Sequence, residues 1–234
     1  TLHGLALNIA SRYPNLSGLD HETTTLVSPT QNHRLIKDTV ETWLRRYPNE
    51  YKTLLQGVAF DGEETERLRR QSVLRTEVLP KLTQTAVQEA KSSGLSAAAL
   101  WELSWQNQDE YNILGVTAGL YEIYTELAKT RSLIDYDDMI LGALRVLESP
   151  VVAEQLQGQI YGVFEDEAQD SSPLQAKLLE TLATEIKHPE NPPNLVRVGD
   201  PNQAINSTFT PADPIYFRHF CEICASENRP AEMD

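Results

Sequence analysis

Ile160-Tyr161-Gly162-Val163-Phe164-Glu165-Asp166-Glu167-Ala168-Gln169-Asp170 runs from a short apolar segment straight into a cluster of carboxylates. The segment is β-branched and aromatic and has the length of a buried strand. Pro173, behind Ser171 and Ser172, then opens a helical pattern. Asp166 and Glu167 are therefore expected at the carboxyl end of a strand, where open α/β sheets place ligand chemistry. Adjacent carboxylates repel, and a cation relieves that repulsion. In a nucleotide site the cation is Mg²⁺, which takes one or two carboxylates plus phosphate oxygens and keeps several waters. One carboxylate can hold the metal while its neighbour orients or deprotonates an attacking water. The plainer alternative is an acidic strand-to-helix loop that caps the helix, because short motifs often occur without function.

Downstream, Leu174, Leu178, Leu179, Leu182 and Ile186 make the apolar stripe of a helix expected over 173–186. A turn-rich linker, His188 to Pro193, precedes a second short strand that ends in Gly199-Asp200. Strand, helix, strand is the rhythm of a parallel sheet, with Asp200 opening toward the same edge as Asp166. Asp213-Pro214 opens a last helix carrying His219, Cys221 and Cys224. Cys-x-x-Cys beside a His hints at zinc, but a structural site needs four ligands and the sequence has no second pair. Redox use would want a strand-to-helix corner, so packing of buried thiols is the preferred reading.

Upstream, the pattern from 30 to 130 is helical with no convincing strand. A helix is expected from Thr30 to Tyr47, with Trp43 in its apolar stripe rather than stacked on a base. A long charged helix is expected from Asp61 to Lys91, broken or kinked before Pro80. Arg67, Arg69, Arg70, Arg75 and Lys81 are the densest basic group, but Glu63, Glu64, Glu66 and Glu77 lie among them. That mixture reads as a salt-laced solvated face before it reads as a nucleic-acid patch. Gly115 and Gly119 would admit close helix contact. Asp135, Asp137 and Asp138 read as cap and first-turn acids of the next helix, structural rather than metal-binding.

Composition sets outer limits. The 234 residues hold 40% apolar side chains, enough for a core, and no run approaches a membrane span. Two cysteines make no disulfide framework, which points to a reducing, cytoplasmic setting. The net charge of −14 argues against a chain whose whole surface binds nucleic acid. The chain starts at Thr1 without an initiator Met or a basic-then-apolar leader, as expected of an internal segment of a longer protein.

Asp166-Glu167-Ala168-Gln169-Asp170 resembles motif II of the UvrD/Rep/PcrA group of superfamily 1 DNA helicases, Asp-Glu-x-Gln-Asp. Gly199-Asp200-Pro201-Asn202-Gln203-Ala204-Ile205 resembles motif III, Gly-Asp-x-x-Gln-x-Ile. Thr1-Leu2-His3-Gly4-Leu5-Ala6 is similar to motif Ib, and Asp135-Tyr136-Asp137-Asp138-Met139 to the stretch where such chains return from a helical insertion. The resemblance implies a helix-rich α/β fold: a partial RecA-like parallel sheet with a large all-helical insertion. It implies three parts, namely 1–29 with motif Ib, 30–132 as the insertion, and 133–234 with motifs II and III. It implies ATP and Mg²⁺ as cofactors, with Asp166 holding the metal through water and Glu167 as catalytic base. Gln169, Asp170 and Asp200 couple and line the nucleotide site, and Gln203 senses the terminal phosphate. Thr1 and His3 inherit places near single-stranded DNA. After motif III the family's usual Tyr is absent, and Phe209 is the ring that could stack on a base if one residue is inserted.

The function so implied is a piece of an ATP-dependent DNA helicase or translocase, moving 3′ to 5′, with single-stranded DNA or a duplex junction and DNA-repair proteins as partners of the parent. Two alternatives stand beside it: the motor component of a helicase-nuclease, and a non-catalytic module that binds a protein through its acidic surface. The 234 residues contain no Gly-x-x-x-x-Gly-Lys-Ser/Thr loop, the usual phosphate cradle. The isolated chain is therefore expected to turn over no ATP in a steady-state assay with Mg²⁺. Robust hydrolysis by the purified 234-residue chain would overturn that expectation.

Overall fold

A computed structural model describes residues 1–20, 23–56, 64–107, 109–188, 190–200, 202–203 and 214–226. The chain is a helix-rich α/β protein that divides into two compact units. The first comprises 1–21, 92–94 and 136–234; the second comprises 22–91 and 95–135.

In the first unit the central element is α9 (Tyr136–Leu147), which packs against α1 (Leu2–Arg12), α2 (Pro14–Ser17), α10 (Pro150–Gln157) and α11 (Pro173–Ala183). Its buried residues Met139, Ile140, Ala143, Val146 and Leu147 recur at helical spacing, which makes one apolar face. Gly142 lies on that face because a Cβ there would come within 2.6 Å of Leu19 Cδ1 and 3.2 Å of the Ala10 methyl. Arg145 Nε donates to the Ser17 carbonyl at 2.7 Å and closes the far end of the contact.

The sheet of this unit is short. Among the described residues β3 (Val163–Glu165) pairs in parallel with β4 (Leu195–Arg197), in the register Val163–Leu195, Phe164–Val196 and Glu165–Arg197. The connecting α11 starts at a full capping box, Ser172 with Gln175, behind Pro173. It buries Leu174, Leu178, Leu179 and Leu182. The helix stops at Ala183, short of the expected Ile186, and the Ile186 amide instead donates to the Gln157 side chain at 3.2 Å. The final helix, α12 (Pro214–Ser226), packs on the turn that follows β3, with Phe217 and Cys221 buried against Ala168.

Among the described residues the second unit is helical apart from one short ladder: α3 (Pro29–Arg46), α4 (Pro48–Gln56), α5 (Glu64–Val73), α6 (Leu79–Ser92), α7 (Ala97–Gln106) and α8 (Ile113–Thr130). Two-residue strands close it, β1 (Thr25–Leu26) pairing in parallel with β2 (Leu133–Ile134). Sequence reasoning missed both, since two residues carry no alternation to read. Trp43 is 1% exposed and is packed with Val40, Leu79, Val116, Leu120 and Ile123. Gly119 makes room for it: a Cβ there would lie 3.0 Å from the indole Nε1. Lys91, 3% exposed, is held by Asp135 at 2.7 Å, which accounts for one of the acids that follow Ile134. Arg75 of the basic group is a bidentate partner of Glu41, both nitrogen–oxygen distances being 2.6 Å.

The expected break before Pro80 takes another form. The helix widens to a π turn over Leu74–Val78 and then resumes as α6. A proline ring collides with the carbonyl four residues back and offers it no N–H. Opening the turn by one residue satisfies the neighbouring amides without a stop, and the Leu79 N–H donates to the Leu74 carbonyl. Residues 11–29, whose Pro, Ser, Asn, Thr and Gly read in the sequence as connecting loop, also hold α2 and β1. Among the described residues no helix is long and apolar enough to cross a membrane. Trp43→Ala should lower the stability of the second unit by about 3–5 kcal/mol, as for other large buried aromatics. Urea unfolding followed by helical circular dichroism, beside an exposed control such as Glu102→Ala, checks it.

Candidate functional site

Backbone bonding continues past the strands and brings the two acidic loops together. The Val198 amide donates to the Glu165 carbonyl at 2.8 Å, and the Ala168 amide donates to the Val198 carbonyl at 2.9 Å. Between those bonds stand Asp166 and Glu167, both exposed. Glu167 has φ 55 and ψ 41, the left-handed region. That conformation costs a non-glycine residue about 1–2 kcal/mol and is concentrated at functional sites. It lets the chain turn at once from β3 into a single 3₁₀ turn, Ala168–Asp170. The Glu167 amide donates to Asp166 Oδ1 at 3.0 Å, so the two acids are tied at the backbone.

Gln169 is 1% exposed, and its amide serves both loops. Nε2 donates to Glu167 Oε2 at 2.7 Å, while Oε1 accepts from the Asp200 amide at 3.0 Å. A side-chain amide carries donor and acceptor side by side, as this requires. Beyond it, Gln203 Nε2 donates to Asp200 Oδ2 at 2.7 Å, and the Asn202 amide donates to Asp200 Oδ1 at 2.9 Å. The bond from the Asn202 backbone, then that from Gln203, hold the Asp200 carboxyl below the usual carboxylate range. Glu167, Gln169, Asp200 and Gln203 thus form one hydrogen-bonded series across two loops. Gly199 is where the loops touch: a Cβ there would fall 2.2 Å from Gln169 Oε1 and 3.0 Å from the Ala168 nitrogen.

The other expected site residues are placed as follows. Asp170 ends the 3₁₀ turn, its amide donating to the Glu167 carbonyl at 2.9 Å. Thr1 caps α1 by accepting from the Gly4 amide at 3.3 Å. Thr1 also lines a cleft of about 600 Å³ whose wall includes Asp166, Glu165 and Ser171. His3 is not among the residues lining that cleft; its ring rests 5.0 Å from that of Tyr136, and burial lowers its pKa. Phe209 lies outside the described residues. Cys221 and Cys224 are free and buried, and burial pushes the Cys221 thiol up. That disfavours the thiolate that zinc or redox chemistry needs. Among the described residues no group of three or more His, Cys, Asp or Glu could hold a metal ion. Mg²⁺ held by one or two carboxylates and phosphate oxygens requires no such cage, and the paired, exposed Asp166 and Glu167 suit it.

Sequence reasoning missed Glu165 and Arg197. They pair across β3 and β4 as an ion pair with side chains 7% and 3% exposed. Ser171 Oγ donates to the other Glu165 oxygen. The available signal was an acid and an arginine at matching places, one just before Asp166 and the other shortly before Asp200.

The UvrD/REP helicase N-terminal domain family matches residues 1–222. An ATP-dependent helicase/nuclease component of Alkaliphilus oremlandii (strain OhILAs) is 36% identical over 99 residues, covering 42% of this chain and 8% of that protein. The helicase/nuclease protein of the same name from Leuconostoc mesenteroides is 33% identical over 125 residues, 51% of this chain and 10% of that protein. The ATP-dependent DNA helicase YjcD of Bacillus subtilis (strain 168) is 35% identical over 102 residues, 43% of this chain and 12% of that protein. The matched part therefore spans about a tenth of each relative.

Gly199→Ala should destabilise the first unit by about 1–3 kcal/mol through overpacking. In a Gln169→Ala background the same change should cost less, because the atom it strikes is gone. Thermal midpoints of the four proteins in that cycle check it, and additive effects would refute the contact.

Proposed function

This chain belongs to the UvrD/REP helicase family, and on that premise we propose that it carries the motif II and motif III part of an ATP site in a DNA helicase or translocase. The observation that carries this reading is the buried Gln169 amide. It grips the Glu167 carboxylate with one atom and the Asp200 backbone with the other. An acidic loop that merely capped a helix would have no use for a buried amide reaching a second acidic loop.

Each residue then has a task suited to its surroundings. Asp166 would hold Mg²⁺ through water, its exposed carboxylate standing at the end of β3. Bound there, the metal would neutralise charge on phosphate oxygens. Glu167 would accept a proton from the attacking water. Its left-handed backbone and the Gln169 contact fix the direction of its carboxylate before substrate arrives. Gln203 would exchange its bond to Asp200 for one to the terminal phosphate and so report occupancy to the DNA side. Gln169 and Asp170 would transmit that change between the loops. Thr1, His3 and Phe209 are assigned to the single-stranded DNA path, and movement to the 3′-to-5′ direction.

We assign residues 30–132 to a helical insertion within a RecA-like domain made of 1–29 and 133–234. Phe164 and Val196, paired in register, are both exposed, whereas parallel sheets are ordinarily covered on both faces. A longer protein would supply that cover and the phosphate-binding loop, so hydrolysis is proposed for it and not for these residues alone. A cytoplasmic DNA motor acting with repair proteins fits this reading. A second form is favoured by the two relatives named as helicase/nuclease components: the motor component of a helicase-nuclease.

The test is ATP hydrolysis by the full-length protein with and without single-stranded DNA, wild type beside Glu167→Gln. DNA should stimulate the wild type. The variant should bind ATP normally while kcat falls by roughly 10²–10⁴, the usual contribution of a general base. If neither protein hydrolyses ATP with DNA present, the reading fails.

A further inference from the structure

We propose that Glu165 and Arg197 are a positioning pair, which sets the alignment of the two acidic loops for hydrolysis. The inference rests on the ATP-site reading above and adds two residues to it. Glu165 immediately precedes Asp166, and Arg197 stands shortly before Gly199-Asp200. They are opposite each other in the ladder, and both side chains are nearly inaccessible.

The pair has no unused oxygen. Arg197 Nε donates to Glu165 Oε2, and Ser171 Oγ donates to Glu165 Oε1. The guanidinium carbon of Arg197 lies 5.0 Å from the centre of the Phe220 ring on α12. The main chain is bonded at the same place, since the Glu165 carbonyl accepts from the Val198 amide at 2.8 Å. One carboxylate therefore joins the end of β3, the end of β4 and the exit of the motif II turn. The guanidinium adds α12, which also covers Ala168 through Phe217 and Cys221.

Stability alone is a poor reason for such a pair. Two desolvated charges often hold a fold no better than apolar residues of the same size. What they add is a single alignment. Each strand here has only three residues, so the ladder specifies its register weakly. A slip by one residue would turn every side chain to the other face. An arginine–carboxylate pair has direction and a fixed reach, whereas two leucines would tolerate a shift. Because Gln169 spans only from Glu167 to the Asp200 amide, a small shift at the pair would break that bridge. Misplacing a reacting group by about 1 Å can cost on the order of a hundredfold in rate.

The experiment uses the full-length protein with single-stranded DNA. Arg197→Met, Glu165→Gln, Arg197→Lys and the double variant Glu165→Leu/Arg197→Leu stand beside wild type and Glu167→Gln. Four quantities are read: thermal midpoint, kcat for ATP, KM for ATP, and hydrogen exchange at the Ala168 and Val198 amides. In the two single breaks, Arg197→Met and Glu165→Gln, kcat should fall roughly ten- to a hundredfold, KM should stay within about twofold of wild type, and both amides should exchange faster. Arg197→Lys should recover part of kcat. The apolar double variant should recover the thermal midpoint and not kcat. If the double variant recovers both, the pair is packing and the proposal is overturned. It is also overturned if the single breaks, folded at the assay temperature, keep kcat within about twofold of wild type. A wild type without DNA-stimulated hydrolysis would overturn the ATP-site reading first, and this proposal with it.

Discussion

The side-chain amide of Gln169 is the contact on which the arrangement of the acidic loops depends. It is a polar group removed from water, and leaving either end without a partner would cost about 1–3 kcal/mol. Both ends are satisfied, one by the Glu167 carboxylate and one by the Asp200 amide. The loops cannot separate without exposing that cost. The close approach also explains Gly199, the only residue type whose backbone fits against the Gln169 oxygen at that point. Strain at Glu167 is tolerated because the surrounding bonds determine its conformation from both sides.

Around that contact the first unit is built in the usual order of strengths. Apolar burial does most: α9 and α11 present stripes of Leu, Ile, Val and Met to the core. Capping sets where helices start, most clearly at Ser172 and Gln175, which begin α11 directly after the 3₁₀ turn Ala168–Asp170. Charge is used sparingly, and among the described residues a buried ion pair joins Glu165 and Arg197. The second unit differs. Beside the buried pair Lys91–Asp135 it has Arg46 with Glu126, Arg75 with Glu41 and Arg131 with Asp38, which are largely solvated. Pairs of that kind contribute about 0–1 kcal/mol each. Its core holds Trp43 with the aliphatic residues around it, and a second cluster that includes Leu35, Leu100, Tyr121 and Tyr124.

Much of this was legible beforehand because the signals were local. Pro173 begins its helix, and the apolar spacing of 173–182 names the buried face of α11. Trp43 belonged to a helical stripe and is core. The misses were not local. The response to Pro80 depended on whether a helix could widen, which the proline does not announce. The β1–β2 ladder joins residues more than a hundred apart and leaves only two-residue traces in each.

The candidate site divides in the same manner. By itself the sequence determined the helix-rich α/β class, the strand before Asp166, the helix after it, and the two acidic motifs in order, because each rests on short-range pattern and covalent neighbourhood. Only the tertiary structure decided that the Gln169 amide faces Glu167 on one side and Asp200 on the other, and that Glu165 meets Arg197. The contacts to Asp200 and Arg197 join residues 31 and 32 positions apart. They exist because a parallel crossover lays β4 beside β3, and such pairing is a property of register that no stretch of either strand contains alone.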